Sequence, residues 1–190
     1  SSKGMTIHFR LYQNELRPLG RTARGVRSMN LREGDKLVAM DVLTSELVDQ
    51  LAKLDLGKDD SFLEEESQIT NGPWVLVVSS FGLGKRVPVA QFRLQKRAGM
   101  GLKAIKFRIK DDVLVGLKVL GEGEEILLVT EKGVIVRTNA DKISQQSRAA
   151  TGVKLQRLDD GDHLAEVVLV PHDQNEHKDN LTEKENKNEM

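Results

Sequence analysis

Arg97-Ala-Gly-Met-Gly101-Leu-Lys103 has two counterparts in the same chain, Arg21-Thr-Ala-Arg-Gly25-Val-Arg27 and Arg148-Ala-Ala-Thr-Gly152-Val-Lys154. Each copy carries a cation four residues before a glycine, an apolar residue directly after it and a second cation two residues beyond it. A short run of strand-like composition follows. The phrase marks one structural unit, repeated, that presents positive charge.

The motif glycines lie 76 and 51 residues apart. Residues 44–72 supply 29 residues of the first interval and have no counterpart in the second; without them the first interval is 47. A period of roughly 50 is in the range of propeller blades and exceeds that of most helical or leucine-rich repeats. The correspondence extends outward from the motif. Upstream, Ser2-Lys-Gly4, Ser80-Phe-Gly82 and Glu131-Lys-Gly133 read as hairpin turns, and four residues past each glycine stand His8, Arg86 and Arg137. Downstream, acidic turns at Glu33-Gly-Asp35, Asp111-Asp112 and Asp160-Gly-Asp162 precede the apolar runs Leu37–Leu43, Val113–Leu120 and Leu164–Val170. Those runs are short and rich in Val and Leu, as buried strands are. The fold class predicted is all-β, built of propeller blades of about four antiparallel strands.

The unmatched segment reads differently. Leu47, Val48, Leu51 and Leu54 fall at helical spacing, with Ser45 as the cap and Gly57 as the stop. One amphipathic helix over 45–56 is expected, followed by an acidic loop from Asp59 to Asn71, with Pro73 marking re-entry to the sheet. The organisation expected is a blade at 1–43 that starts inside a repeat, an acidic insert at 44–72, blades at 73–120 and 121–170, and a tail at 171–190. The tail has one leucine and no aromatic residue, so disorder is expected there.

A net charge of zero conceals segregation. Residues 1–43 and 73–170 carry net charges of +4 and +5, whereas 44–72 and 171–190 carry −6 and −3. Basic repeats with acidic appendages point to a polyanion partner. The chain has no cysteine, which excludes disulfides and thiolate metal sites. No apolar stretch approaches the roughly 18 residues of a bilayer span. His8, His163, His172 and His177 have no partners at ligand spacing, so no metal site is expected. Gly99-Met-Gly101-Leu-Lys-Ala104 matches a dinucleotide fingerprint by letters alone, without a surrounding βαβ unit, and Gly84-Lys85 is followed by Arg86 rather than by the Ser or Thr of a phosphate-binding loop.

Three longer strings narrow the reading. Gly84-Lys-Arg-Val-Pro-Val, Ile143-Ser-Gln-Gln-Ser-Arg-Ala-Ala-Thr-Gly152-Val and Leu31-Arg-Glu-Gly-Asp-Lys-Leu-Val closely resemble the C-terminal DNA-wrapping region of the DNA gyrase A family. The resemblance covers about residues 1–170 apart from the insert. It implies a β-pinwheel, a propeller variant whose neighbouring blades exchange strands and whose basic rim bends duplex DNA. By the same resemblance the chain corresponds to the last three blades and an acidic tail, and it serves to present the transported segment for ATP-driven negative supercoiling. The implied partners are double-stranded DNA, the rest of gyrase A and the companion gyrase B in an A2B2 complex, in the bacterial cytoplasm at the nucleoid or alternatively in a chloroplast. ATP and Mg would belong to gyrase B, with no cofactor in this chain.

The family's glutamine-arginine-arginine-glycine-glycine-lysine-glycine box is not here; Gln95-Lys-Arg-Ala-Gly-Met-Gly101 resembles it only as other blades do, and the box is expected before Ser1. The insert is a second departure, read as a mark of a cyanobacterial or plastid lineage. The family's cleavage chemistry uses a tyrosine beside an arginine in a winged-helix domain. Tyr12 lies within a blade repeat, so no catalytic residue is assigned.

Bending a duplex costs several kcal/mol and crowds its phosphates, which rim cations offset by releasing counterions without reading sequence. The candidate DNA-binding residues are Arg21, Arg24, Arg27, Lys85, Arg86, Lys96, Arg97, Lys103, Arg137, Arg148 and Lys154. Seven aromatic residues, none clustered, argue against single-strand stacking. The alternatives are the matching domain of topoisomerase IV, with fewer blades, and a protein-interaction propeller without DNA contact. The acidic tail reads either as plain disorder or as a DNA mimic competing for the rim.

Overall fold

The computed structural model describes residues 1–11, 18–53 and 72–170. In chain order the elements are β1 (Met5–Thr6), α1 (Ser45–Lys53), β2 (Trp74–Ser79), β3 (Leu83–Pro88), β4 (Leu102–Lys103), β5 (Leu114–Leu120), β6 (Glu125–Thr130), β7 (Ile135–Asn139), β8 (Val153–Lys154) and β9 (Leu164–Leu169). All strand pairing is antiparallel, in a four-stranded sheet β5-β2-β3-β8, a three-stranded sheet β7-β6-β9 and a two-stranded pair β1-β4. Two single 3-10 turns, Val89–Gln91 and Ala140–Lys142, occupy matching places after β3 and β7.

Every unit turns in the same way. Gly4, Gly82 and Gly133 adopt φ of 77, 78 and 85°, and their amides donate to the carbonyls of Ser1, Ser79 and Thr130 at 2.9, 3.1 and 3.0 Å. An aspartate from the acidic turn of the same unit then clasps that hairpin. Asp35 Oδ1 accepts from the Ser2 hydroxyl and the Lys3 amide at 2.8 and 2.9 Å. Asp112 accepts from the hydroxyls of Ser79 and Ser80 and from the Phe81 amide. Asp162 Oδ1 accepts from the Lys132 amide at 3.1 Å. The acidic turns are thus internal latches of the fold. Gly34 and Gly161 supply positive φ at their tips, where Asp111, at φ 65°, does the same without being glycine.

β2 is buried along its whole length because it is an interior strand with a core on each side. Period-two alternation sends Leu76 and Val78 into one cluster with Ile126, Leu128, Leu164 and Val167 of the last unit. Val75 and Val77 enter the other, with Val87, Phe92, Ile105 and Leu114, which Leu43 and Leu51 of the α1 region cover. Each fully buried Val, Leu or Ile side chain contributes about 1.5–3 kcal/mol. At Gly116 the sheets approach so closely that a Cβ would lie 2.2 Å from Val167.

The units interlock by strand exchange. After the second and third motif glycines the chain crosses onto the hairpin of the preceding unit: Leu102 and Lys103 pair with Thr6 and Met5, and Val153 and Lys154 with Gly84 and Leu83. A sheet therefore includes residues from two sequence repeats, and the blade boundaries at 120 and 121 separate repeats without separating sheets.

Two expectations change. Leu37–Leu43 forms no strand, because among the described residues nothing occupies the place beside it that β2 and β6 hold beside β5 and β9; Leu37, Met40 and Val42 are exposed. The cap of α1 is Thr44, not Ser45: its Oγ1 accepts from the Leu47 amide at 3.4 Å and its carbonyl from the Val48 amide at 3.0 Å. The helix is described over Ser45–Lys53, inside the expected 45–56. Gly57, the acidic loop, Tyr12 and the tail lie outside the described residues.

Candidate nucleic-acid interface

The crossing strands build the basic face. The second and third motif loops lie against the post-motif residues of the unit before each. Ala98 donates its amide to the Ser28 carbonyl and Asn30 its amide to Gly99, while Lys106 donates to Ala150. The leading arginines staple these contacts: Arg97 Nη1 donates to the Arg27 carbonyl at 2.9 Å and Arg148 Nη1 to the Lys103 carbonyl at 3.2 Å. Both arginines are half-buried, and the cations that follow them, Lys103 and Lys154, are exposed. They occupy the same register in successive units. Exposed cations thus alternate with stapling arginines from one unit to the next.

The other candidates divide. Arg21, Arg24 and Arg27 are exposed on the first unit's loop, and Arg27 Nη1 donates to Asn30 Oδ1 at 3.0 Å. Lys96 is exposed beside Arg97. Arg137 is exposed and ion-paired with Glu125 across β6 and β7. Lys85 does not belong to the surface: it has no solvent exposure, and its ammonium is enclosed by backbone carbonyls of the last unit. Arg86 is also turned inward. Its side chain is 11% exposed, it lies 4.7 Å over the Trp74 ring, its Nε donates to the Ile143 carbonyl at 3.0 Å, and it pairs with Asp141 at 2.8 Å. His8 makes the matching contact one unit earlier, from Nδ1 to the Phe92 carbonyl at 2.9 Å. Lys85 and Arg86 join units, and their sequence position beside Gly84 on a short strand does not reveal it.

Lys106 and Arg157 were not among the candidates and belong with them. Both are exposed, three residues past Lys103 and Lys154. The second cation at that spacing is the signal in the sequence, with Asn30 in its place in the first unit. Among the described residues no group of three or more His, Asp or Glu side chains could hold a metal ion, and no helix is long and apolar enough to cross a membrane.

A family model described as the DNA gyrase C-terminal domain, a beta-propeller, matches residues 1–44, 73–120 and 124–171, omitting the insert and the tail. The chain belongs to this family. Among its relatives, the DNA gyrase A protein of Synechocystis sp. is 52% identical over 178 residues, which is 90% of this chain and 21% of that protein. The DNA gyrase A protein of Staphylococcus epidermidis is 37% identical over 171 residues, 90% of this chain and 16% of that protein. The chain thus spans about a fifth of the length of the curated relatives it matches. A solved structure of a DNA gyrase A C-terminal domain superimposes with a TM-score of 0.50 at 33% identity, covering 53% of this chain and 34% of that one. Membership in the gyrase C-terminal family accounts for the three matched blocks as repeated units of one propeller.

Proposed function

We propose that the chain is a non-catalytic module that binds and wraps duplex DNA within gyrase A, part of a type IIA topoisomerase, and presents the transported segment for ATP-dependent negative supercoiling. The observation that carries this reading is the equivalent placement of Lys103 and Lys154, exposed on crossing strands and paired in the same manner with the preceding hairpin. Cations at a fixed structural repeat on rigid backbone suit a regular phosphate chain. Lys106 and Arg157 widen the same face, and Arg27 extends it into the first unit. Because these side chains are attached to strands and stapled loops, they meet the duplex with little ordering cost. The contacts address phosphates, so binding is independent of sequence.

The gyrase A relatives support gyrase over topoisomerase IV as the parent enzyme. On this reading the partners are the rest of gyrase A and the companion gyrase B in an A2B2 assembly, with ATP and Mg held by gyrase B. The site of action is the bacterial cytoplasm at the nucleoid; a chloroplast location would leave the chemistry unchanged.

Anisotropy of labelled duplexes of unrelated sequence, titrated at several salt concentrations between about 50 and 200 mM, tests the proposal. Affinity is expected to be equal across sequences and to fall linearly on a log–log plot, by a slope of about 0.9 per phosphate neutralised. Affinity that does not change with salt defeats the reading. Absence of binding at the lowest salt leaves the protein-interaction propeller in its place.

A further inference from the structure

Lys85 has the largest fully buried side chain among the described residues. It lies in the middle of β3, and its Nζ donates to the carbonyls of Ser147, Arg148 and Ala150 at 2.5, 2.8 and 2.7 Å. An ammonium has three N–H donors, and three carbonyls converge on it. Burying such a charge is unfavourable unless every donor is satisfied, which this geometry achieves. The carbonyls belong to the motif turn of the following unit, the turn that carries Arg148 and leads into Lys154.

The repeat itself does not demand this lysine. The corresponding residue, three past the hairpin glycine, is Ile7 in the first unit and Val136 in the third, and neither can donate. Around Lys85 the turn is held from other sides as well. The Arg148 amide donates to Gln91 Oε1 at 2.9 Å and the Gly152 amide to Gln146 Oε1 at 3.0 Å. Arg148 Nη1 reaches back to Lys103. The ammonium adds a donor to the carbonyls of Ser147 and Ala150, which also accept from the Ala150 and Lys106 amides at 3.1 Å, and supplies one to Arg148.

We propose that Lys85 is a positioning residue for DNA contact: its buried ammonium locks the Ser147–Ala150 turn and so preorganises Arg148 and Lys154 to receive phosphate. This rests on the DNA-binding reading of the same face. Lys85 touches no phosphate itself. Without it the turn would have to be ordered during binding, which lowers affinity and loosens the contacts that Arg148 and Lys154 make.

The test uses Lys85→Met, which keeps the stem and removes the donors. Hydrogen exchange without DNA is expected to speed up by about an order of magnitude at the amides of Lys106, Ala150 and Gly152, while hairpin amides far from the turn keep their protection. With duplex, the log–log salt slope is expected to fall by about one. Arg148→Ala should weaken binding in the wild-type background and add little in the Lys85→Met background, because the two changes remove one contact. Leu128→Ala, a core change in the last unit, serves as the stability control: it should lower the melting temperature and leave the slope unchanged. If Lys85→Met does not fold, Lys85→Gln, which retains an amide donor, is read in the same way with smaller changes. A variant that matches wild type in exchange and slope overturns the role of Lys85 while leaving DNA binding in place, and a Leu128→Ala slope that falls equally overturns it too. A wild-type chain that binds no duplex overturns the DNA reading instead, whatever the exchange data show.

Discussion

A carboxylate that accepts several hydrogen bonds holds its surroundings through its ionised form, and Asp35 and Asp162 are in that position. For Asp35, burial pushes the pKa up, but hydrogen bonds from Ser1, the Lys3 amide, Ser2 and the Lys36 amide outweigh it and bring the group from 3.8 down to about 2. Asp162 shows the same balance: burial raises it, and bonds from Thr130 and the Lys132 and His163 amides, with the Lys132 charge, lower it further. A folded-state pKa below the unfolded one adds stability that is complete above the unfolded value and disappears as pH falls through the folded one. For Asp35 that window runs from 3.8 down to about 2. Urea unfolding of wild type and Asp35→Asn should therefore show a clear gap at neutral pH that narrows across this window; a gap independent of pH would remove the latch from the account. Sequence shows these aspartates as repeated acidic turns without showing what they hold. The same limit applies to the site: the cations of the motif are legible as a surface set, yet Lys85 and Arg86 look identical to them in a sequence, because direction of burial depends on which unit packs above β3.

The motif glycine is the element that makes strand exchange possible. A Cβ on Gly101 would lie 2.7 Å from the Thr6 carbonyl oxygen, and one on Gly152 would lie 2.7 Å from that of Gly84, whereas Gly25 has open space around it. All three have positive φ, 75, 95 and 75° for Gly101, Gly152 and Gly25. Alanine at Gly25 thus bears only the backbone penalty, about 1–2 kcal/mol. At Gly152 it adds a backbone collision, for a further ~1–3 kcal/mol of overpacking. Thermal or urea unfolding should rank Gly152→Ala well below Gly25→Ala in stability; equal losses would mean that the close approach of β8 to β3 is not what the glycine serves. Hairpins, spacing and the odd insert are readable because each depends on local chemistry: glycine for a turn, alternation for a strand, helical spacing for α1. The crossing of β4 and β8 onto the neighbouring unit is not, since two-residue strands carry no periodicity. Leu37–Leu43 shows the converse, a strand-like run that forms no ladder where it has no partner.

At the scale of the whole molecule, the three units form a stack with two dissimilar ends. At one end, among the described residues, nothing covers the hairpin of the last unit: β7 is an edge strand, Val134 and Ile135 are 44% and 61% exposed, and a Cβ on Gly133 would meet none of these residues. At the other end the first unit's motif has no hairpin to cross onto among the described residues, and Val26 and Leu31 are 44% and 41% exposed. The two internal junctions show what such surfaces do when they meet, through a two-residue ladder and a glycine seated on a carbonyl. An exposed edge and an unpaired crossing segment are complementary, and joining them head to tail leaves both free again on the outer copies, so the assembly does not close in one step. Purified alone, this chain should associate with concentration, with a weight-average mass by light scattering that rises above the monomer value of 21.2 kDa. Ile135→Lys places a charge on the edge and should shift the distribution toward monomer. A wild-type mass that stays at the monomer at every concentration would show that the exposed edge is protected by other means, and an Ile135→Lys variant that associates as strongly as wild type would place the contact elsewhere.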